Sequence, residues 1–205
     1  MKPEETARHY DHIALWWQQQ HRNSNYGIAA LERAIRFTET RSTALDVGCG
    51  SSGRFTEVLI QNRFTPTGLD ISTEMIALAR QRHTKVTYHA ADICTWRFPQ
   101  TYDLIVAWDS TFHLPLGSQE PVLKKMCEGL NSKGVLLFTC GGTVGPGEIS
   151  GSFQGENFEY STLGVNEFLR LLNEFGCTCK HLEYDQLPEN HVYIVAQRGR
   201  WLSLS

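Results

Sequence analysis

From Ser42 onward, short runs of apolar and β-branched residues alternate with longer runs whose apolar positions recur every three or four residues. The first pattern predicts buried strands and the second amphipathic crossover helices, so the chain reads as parallel strands joined by helices. Strands are expected at 43–47, 67–70, 86–90, 102–108 and 134–139, and helices at 54–62, 73–82 and 119–130. Phe55, Val58 and Leu59 supply one buried helix face, and Met75, Ile76 and Ala79 another. Ser72 stands where its side chain caps the helix at 73–82.

Past the fifth strand, residues 141–160 turn rich in Gly, Ser and Pro. A segment of that length and composition predicts a lid or binding loop. A helix is expected at 163–175, ended by Gly176 in the C′ position. Strands at 178–184 and 191–197 are separated only by a turn containing Pro188, so they must pair antiparallel. Ahead of the sheet lie helical stretches at 4–20 and 25–38. The first carries Tyr10, Ile13, Ala14, Trp16 and Trp17, more aromatic surface than a free helix leaves in water, and is expected to cap the ligand end of the sheet.

The chain has 205 residues, 41% of them hydrophobic, and no apolar run near the ~20 residues a membrane span requires. One domain is therefore expected over 1–205: a cap at 1–41, a sheet core at 42–140, the lid at 141–160, and a helix with hairpin at 161–205. The N-terminus lacks a basic-then-apolar leader pattern, which predicts a cytoplasmic protein with reduced cysteines. A monomer or homodimer is expected, with nothing in the sequence to choose between them. Net charge is −3 with Lys and Arg scattered, so no footprint for nucleic acid is visible and a small-molecule partner is expected. The six cysteines form no C-x-x-C pair. His9, His12, His21 and His191 lack metal-motif spacing and read as surface or supporting residues, so no metal is expected.

The most specific segment is Leu45-Asp46-Val47-Gly48-Cys49-Gly50-Ser51-Ser52-Gly53, a strand that breaks into a glycine turn opening a helix. Gly48 and Gly50 can take positive φ and bring backbone amides close to a ligand, and the amides that follow Gly53 favour a negative group. Such a turn serves dinucleotides as well as S-adenosylmethionine (SAM). Asp46, placed in the turn, repels a pyrophosphate there but suits the sulfonium and ammonium of SAM.

Here the chain resembles the class I SAM-dependent methyltransferases of small-molecule type, whose first motif is an acidic residue followed by G-x-G: Asp46-Val47-Gly48-Cys49-Gly50. This chain delays the third glycine to Gly53. The resemblance spans roughly 42–198 and implies a doubly wound, Rossmann-like α/β fold. Its seven strands would take the order 3-2-1-4-5-7-6, the last antiparallel. It also implies SAM as cofactor and methyl transfer to a small molecule by in-line displacement. Asp70, 20 residues past Gly50 at a strand end, suits both ribose hydroxyls. Ile71 and Met75 would flank the adenine, with a plain core role equally open for Met75. The resemblance places Asp92 on the adenine amino group and the Ile93 amide on the ring, and Trp108 beside the methionine part. Asp46, Gly48, Cys49 and Gly50 complete the cofactor set.

In-line displacement asks mainly for proximity and alignment, worth up to ~7–11 kcal/mol, and for a base only when the acceptor must be deprotonated. His113 is the candidate base, with a loop-fixing role as the alternative. Tyr10, Trp17, Tyr26 and Tyr160, with Phe153 and Phe158, are candidate substrate walls or core. Two rival readings stand: an NAD-dependent oxidoreductase, from the literal G-x-G-x-x-G and Asp70, and a SAM-binding regulator without transfer activity.

Overall fold

A computed structural model describes residues 1–200. Two helices, α1 (Pro3–His21) and α2 (Ile28–Arg36), precede the alternating part of the chain. There follow β1 (Thr43–Val47), α3 (Arg54–Gln61), β2 (Thr65–Asp70), α4 (Thr73–Arg82), β3 (Thr87–Ala90) and β4 (Tyr102–Ala107). A single 3-10 turn (Thr111–His113), α5 (Leu116–Glu128) and β5 (Leu130–Gly141) lead to β6 (Gly147–Phe153) and β7 (Glu156–Thr162). The described chain closes with α6 (Val165–Glu174), β8 (Cys177–Tyr184) and β9 (His191–Arg198). The expected C-terminal segment, 161–205, is thus described to residue 200.

The main sheet has the order β3-β2-β1-β4-β5-β9-β8, with β1 to β5 parallel and β9 antiparallel to both β5 and β8. Counted along this sheet alone, that is the expected 3-2-1-4-5-7-6. Period-two alternation divides the strands between two cores. Ile105, Ala107, Leu136 and Phe138 face α5 and α6 through Leu123, Met126, Phe168 and Leu171. Leu104, Val106, Val135 and Leu137 face α2 and α3 through Leu31, Ala34 and Leu59. All six residues of β4 are buried because both faces are covered. Ser72 caps α4 by accepting from the Met75 amide at 3.0 Å, and Gly176 (φ 77) follows α6 in the C′ position.

The segment expected as a glycine-rich lid loop departs from that expectation. Residues 147–162 form a two-stranded antiparallel hairpin of their own, with Phe153 opposite Glu156. Gln154 (φ 53) and Gly155 (φ 82) both take positive φ, the geometry of a tight two-residue turn. Phe158 is 2% exposed and anchors the hairpin against the Tyr10 and His113 rings. The Gln119 amide donates to the Ser161 carbonyl at 2.6 Å, and Ser161 Oγ donates to the Leu114 carbonyl at 2.6 Å. Among the described residues, no helix is long and apolar enough to cross a membrane.

Candidate functional site

The carboxyl ends of β1, β2, β3 and β4 open on a cleft of about 1050 Å³, roofed by α1. This is where an open, doubly wound sheet leaves its crevice. The glycine turn forms one wall. Gly48 (φ 69) and Gly50 (φ 56) are left-handed, but their amides are not offered to the cleft. Gly48 and Cys49 both donate to the Leu69 carbonyl, at 2.7 and 3.1 Å, and Gly50 donates to Asp70 Oδ2 at 2.9 Å.

Each glycine has its own reason. A Cβ on Gly48 would lie 2.3 Å from Ser110 Cβ, so its absence lets the turn meet the loop after β4. At Gly50 a Cβ would meet only Trp17 Nε1, at 3.7 Å, so the bare backbone keeps the space beneath α1 open. Gly53 (φ 69) would place a Cβ 2.5 Å from His83 Nε2, so the displaced third glycine serves the packing of α3 against the end of α4.

Asp46 belongs to β1 rather than to the turn, because Asp46 continues the strand's register opposite Gly68 and Val106. It is 4% exposed and accepts no hydrogen bond from the described residues. Burial pushes its carboxyl up to about 7, against the pull of the Arg54 guanidinium. Arg54, the first residue of α3, is itself fixed by donating from Nε to the Tyr26 carbonyl at 3.0 Å and from Nη1 to Ser52 Oγ at 3.2 Å. Asp70 ties three elements together, accepting from Gly50 at Oδ2 and from the Ser72 amide at Oδ1, both at 2.9 Å. Burial raises its carboxyl, and those amides partly offset the rise. Asp92 accepts from the Cys94 amide at 2.8 Å. Its loop is pinned by Lys125 of α5, whose ammonium donates to the carbonyls of Ile93, Cys94 and Trp96.

On the β4 side, His113 sits between Tyr10 and the hairpin. Nδ1 faces the Glu159 carbonyl at 3.3 Å, an acceptor only, so Nδ1 carries the hydrogen and Nε2 accepts from the Tyr10 hydroxyl at 2.8 Å. Burial pushes this imidazole down to about 4, keeping it neutral.

Of the residues expected from sequence, the cleft brings together Asp46, Gly48, Cys49, Gly50, Asp70, Ile71, Met75, Asp92, Ile93, Trp108, His113, Tyr10 and Trp17. Tyr26 and Tyr160 lie outside its lining. Tyr26 packs edge-on against the back of Trp108, at 5.5 Å between ring centroids. Tyr160 packs on His113 and Phe112 from the hairpin. Sequence reasoning gave no role to Arg54 or Asp109, which also line the cleft. Their signal was positional: Arg54 opens the helix after the glycine turn, and Asp109 is the second residue past β4. His191, read as surface or supporting, bonds Asp109 at 2.9 Å and Asp185 at 2.5 Å.

The donor set discriminates among ligands. The amides of residues 48–50 are consumed within the protein, and four acidic side chains (Asp46, Asp70, Asp92, Asp109), the first two raised by burial, share the cleft with one guanidinium. A diphosphate would meet the Asp92 and Asp109 carboxylates without help from the amides of residues 48–50. A ligand that brings cations, hydroxyls and an amino group fits.

Residues 44–134 match the family described as "Methyltransferase domain". Malonyl-[acyl-carrier protein] O-methyltransferase of Bacillus cereus is 36% identical over 126 residues, covering 58% of this chain and 45% of that protein. The protein of the same name from Bacillus anthracis is 33% identical over 115 residues, covering 54% and 41%. The chain thus spans under half the length of these relatives.

Among solved structures, 1,6-didemethyltoxoflavin-N1-methyltransferase of Burkholderia thailandensis aligns with a TM-score of 0.68 at 17% identity, over 97% of this chain and 91% of that one. An S-adenosylmethionine-dependent methyltransferase of Clostridium acetobutylicum aligns at 0.67 and 15%, over 96% and 98%. At such identities the likeness is one of fold. The chain thus shares the fold of these SAM-dependent methyltransferases, and residues 44–134 match the methyltransferase domain family.

Proposed function

We propose that this chain is a SAM-dependent methyltransferase acting on a small molecule, with residues 1–205 as one domain. The observation that carries the reading is the cleft's charge pattern: carboxylates at successive strand ends, and turn amides spent within the protein. That pattern suits SAM and disfavours NAD. Asp70 holds the ribose hydroxyls and Asp92 the adenine amino group, with the Ile93 amide on the ring. Ile71 and Met75 flank that ring, and Gly48, Cys49 and Gly50 shape the wall. Asp46 and Arg54 take the charged methionine end, with Trp108 beside it.

When bound, SAM supplies a methyl group activated by a positive sulfur. The chain's own contribution is to align an acceptor and exclude water. Tyr10 and Trp17 of α1 form the roof over the acceptor. His113 accepts from the Tyr10 hydroxyl and is held neutral by burial, which suits it to fixing the roof on the loop after β4 more than to taking a proton from the acceptor. The six cysteines are all free, in keeping with a cytoplasmic setting. A monomer or homodimer without nucleic-acid partners completes the reading.

Isothermal titration with SAM and NADH side by side tests the cofactor, and S-adenosylhomocysteine formation over a metabolite panel tests transfer. SAM should bind and NADH should not. SAM binding that survives both Asp70→Ala and Asp92→Ala would contradict the site.

A further inference from the structure

We propose that Asp109 is the residue that receives the methyl acceptor, and that it takes the acceptor through the N–H of an amine rather than through a carboxylate. The inference rests on the methyltransferase reading and narrows it. Asp109 lines the cleft directly after β4, with its side chain 26% exposed. It holds a strained backbone, φ 49, and its amide donates to Thr139 Oγ1 at 2.8 Å. Such strain in a residue that is not glycine persists only where the surroundings over-determine it, and it clusters at functional sites.

The surroundings here are specific. His191 of β9 meets Asp109 Oδ1 through Nε2 and Asp185 Oδ1 through Nδ1. Both ring nitrogens face carboxylate oxygens, which raises the imidazole above its usual range despite burial. Gln186 donates to the Tyr26 hydroxyl, which in turn faces Asp109. The β8–β9 turn and the segment before α2 therefore converge on one carboxylate.

The electrostatics select the acceptor. The lining holds Asp46, Asp70, Asp92 and Asp109 against Arg54 alone, and Arg54 is already engaged with Tyr26, Ser52 and the field of Asp46. A carboxylate acceptor would add negative charge beside Asp109, where both nitrogens of the neighbouring cation, His191, are already taken by Asp109 and Asp185. An amine offers an N–H to Asp109 and keeps its lone pair for carbon. In the transfer the nitrogen lone pair forms the N–C bond while the S–C bond breaks and its electron pair stays on sulfur. The surplus N–H proton of the resulting ammonium passes to Asp109 and then to solvent.

The test uses benzylamine, benzyl alcohol and benzoate as matched probes, titrated into the full chain with S-adenosylhomocysteine bound, alongside transfer assays over panels of amines and carboxylic acids. Benzylamine should bind at least tenfold more tightly than benzoate, and Asp109→Asn should remove that preference while the Kd for SAM stays within twofold. His191 is a positioning residue: His191→Gln, which keeps a donor, should retain most of the preference, and His191→Leu should lose it. If Asp109→Asn does not fold, the His191 pair reads the same relationship. Equal or stronger benzoate binding, or methylation of acids with amines inert, overturns the inference alone. Failure of the wild-type chain to bind SAM instead sinks the methyltransferase reading beneath it.

Discussion

The Tyr10 hydroxyl donates to Nε2 of His113 at 2.8 Å, joining the roof helix α1 to the loop after β4 across 103 positions of sequence. His113 therefore closes the cleft as much as it lines it. Replacing it with Leu strands a buried hydroxyl, which costs about 1–3 kcal/mol. The same substitution changes the acid limb of stability. The buried imidazole sits near 4, whereas the unfolded chain protonates near 6.5, so the unfolded state gains the proton first as pH falls. Wild-type stability should drop between about pH 6.5 and 4 by an amount His113→Leu does not show. Urea titrations across that window check it, and parallel curves for the two proteins would count against a buried neutral His113.

Asp46 should act with the opposite sign. Its carboxyl is raised from 3.8 to about 7, so the folded form holds a proton that the unfolded form has released between those values. Its contribution to stability therefore declines as pH rises from about 4 to 7. Asp46→Asn should gain on wild type across that range, by on the order of a few kcal/mol in all. A constant difference between variant and wild type over those pH values rules the buried, protonated Asp46 out.

The two turn glycines should differ in cost. Gly48→Ala must fit a Cβ 2.3 Å from Ser110 Cβ at φ 69, and strain plus collision should exceed ~2 kcal/mol. Gly50→Ala carries only the left-handed penalty, about 1 kcal/mol, with ordinary contact to Trp17. Chemical denaturation of both variants ranks them; a Gly50 variant as unstable as the Gly48 variant would show that the loop after β4 does not press on the turn.

Asp11 latches the roof. Its Oδ1 accepts from Ser72 Oγ at 2.6 Å and from the Glu74 amide at 3.1 Å, placing a carboxylate at the N-terminus of α4. Asp11→Ala should leave the sheet intact, speed amide exchange in α1, and weaken SAM binding several-fold. Exchange in α1 that matches wild type would place the latch elsewhere.

The main sheet was legible because burial on both faces leaves a simple trace. β4 is apolar throughout apart from Asp103, and the crossover helices repeat with helical period. The hairpin at 147–162 was not, because its Gly and Ser dilute the strand signal and Phe158 packs against rings from α1 and from the 3-10 turn after β4. The cue was Gln154-Gly155, a two-residue turn between Phe153 and Glu156. Tyr26 was expected to wall the cleft, yet its aromatic character could not tell the front of Trp108 from the back.

The strands and helices of the sheet, the glycine turn and the carboxylates at strand ends follow from sequence alone, because local backbone preference and hydrophobic periodicity act between near neighbours, while the strand order came from the resemblance those residues carry. What three dimensions decided is how these groups are wired. The turn amides are spent on Leu69 and Asp70, and Asp46 lies buried in a strand. His191 crosses 82 residues to clamp Asp109. A side chain's charge state and free lone pairs depend on what burial brings against it, and those partners come from elements that meet only when the sheet closes.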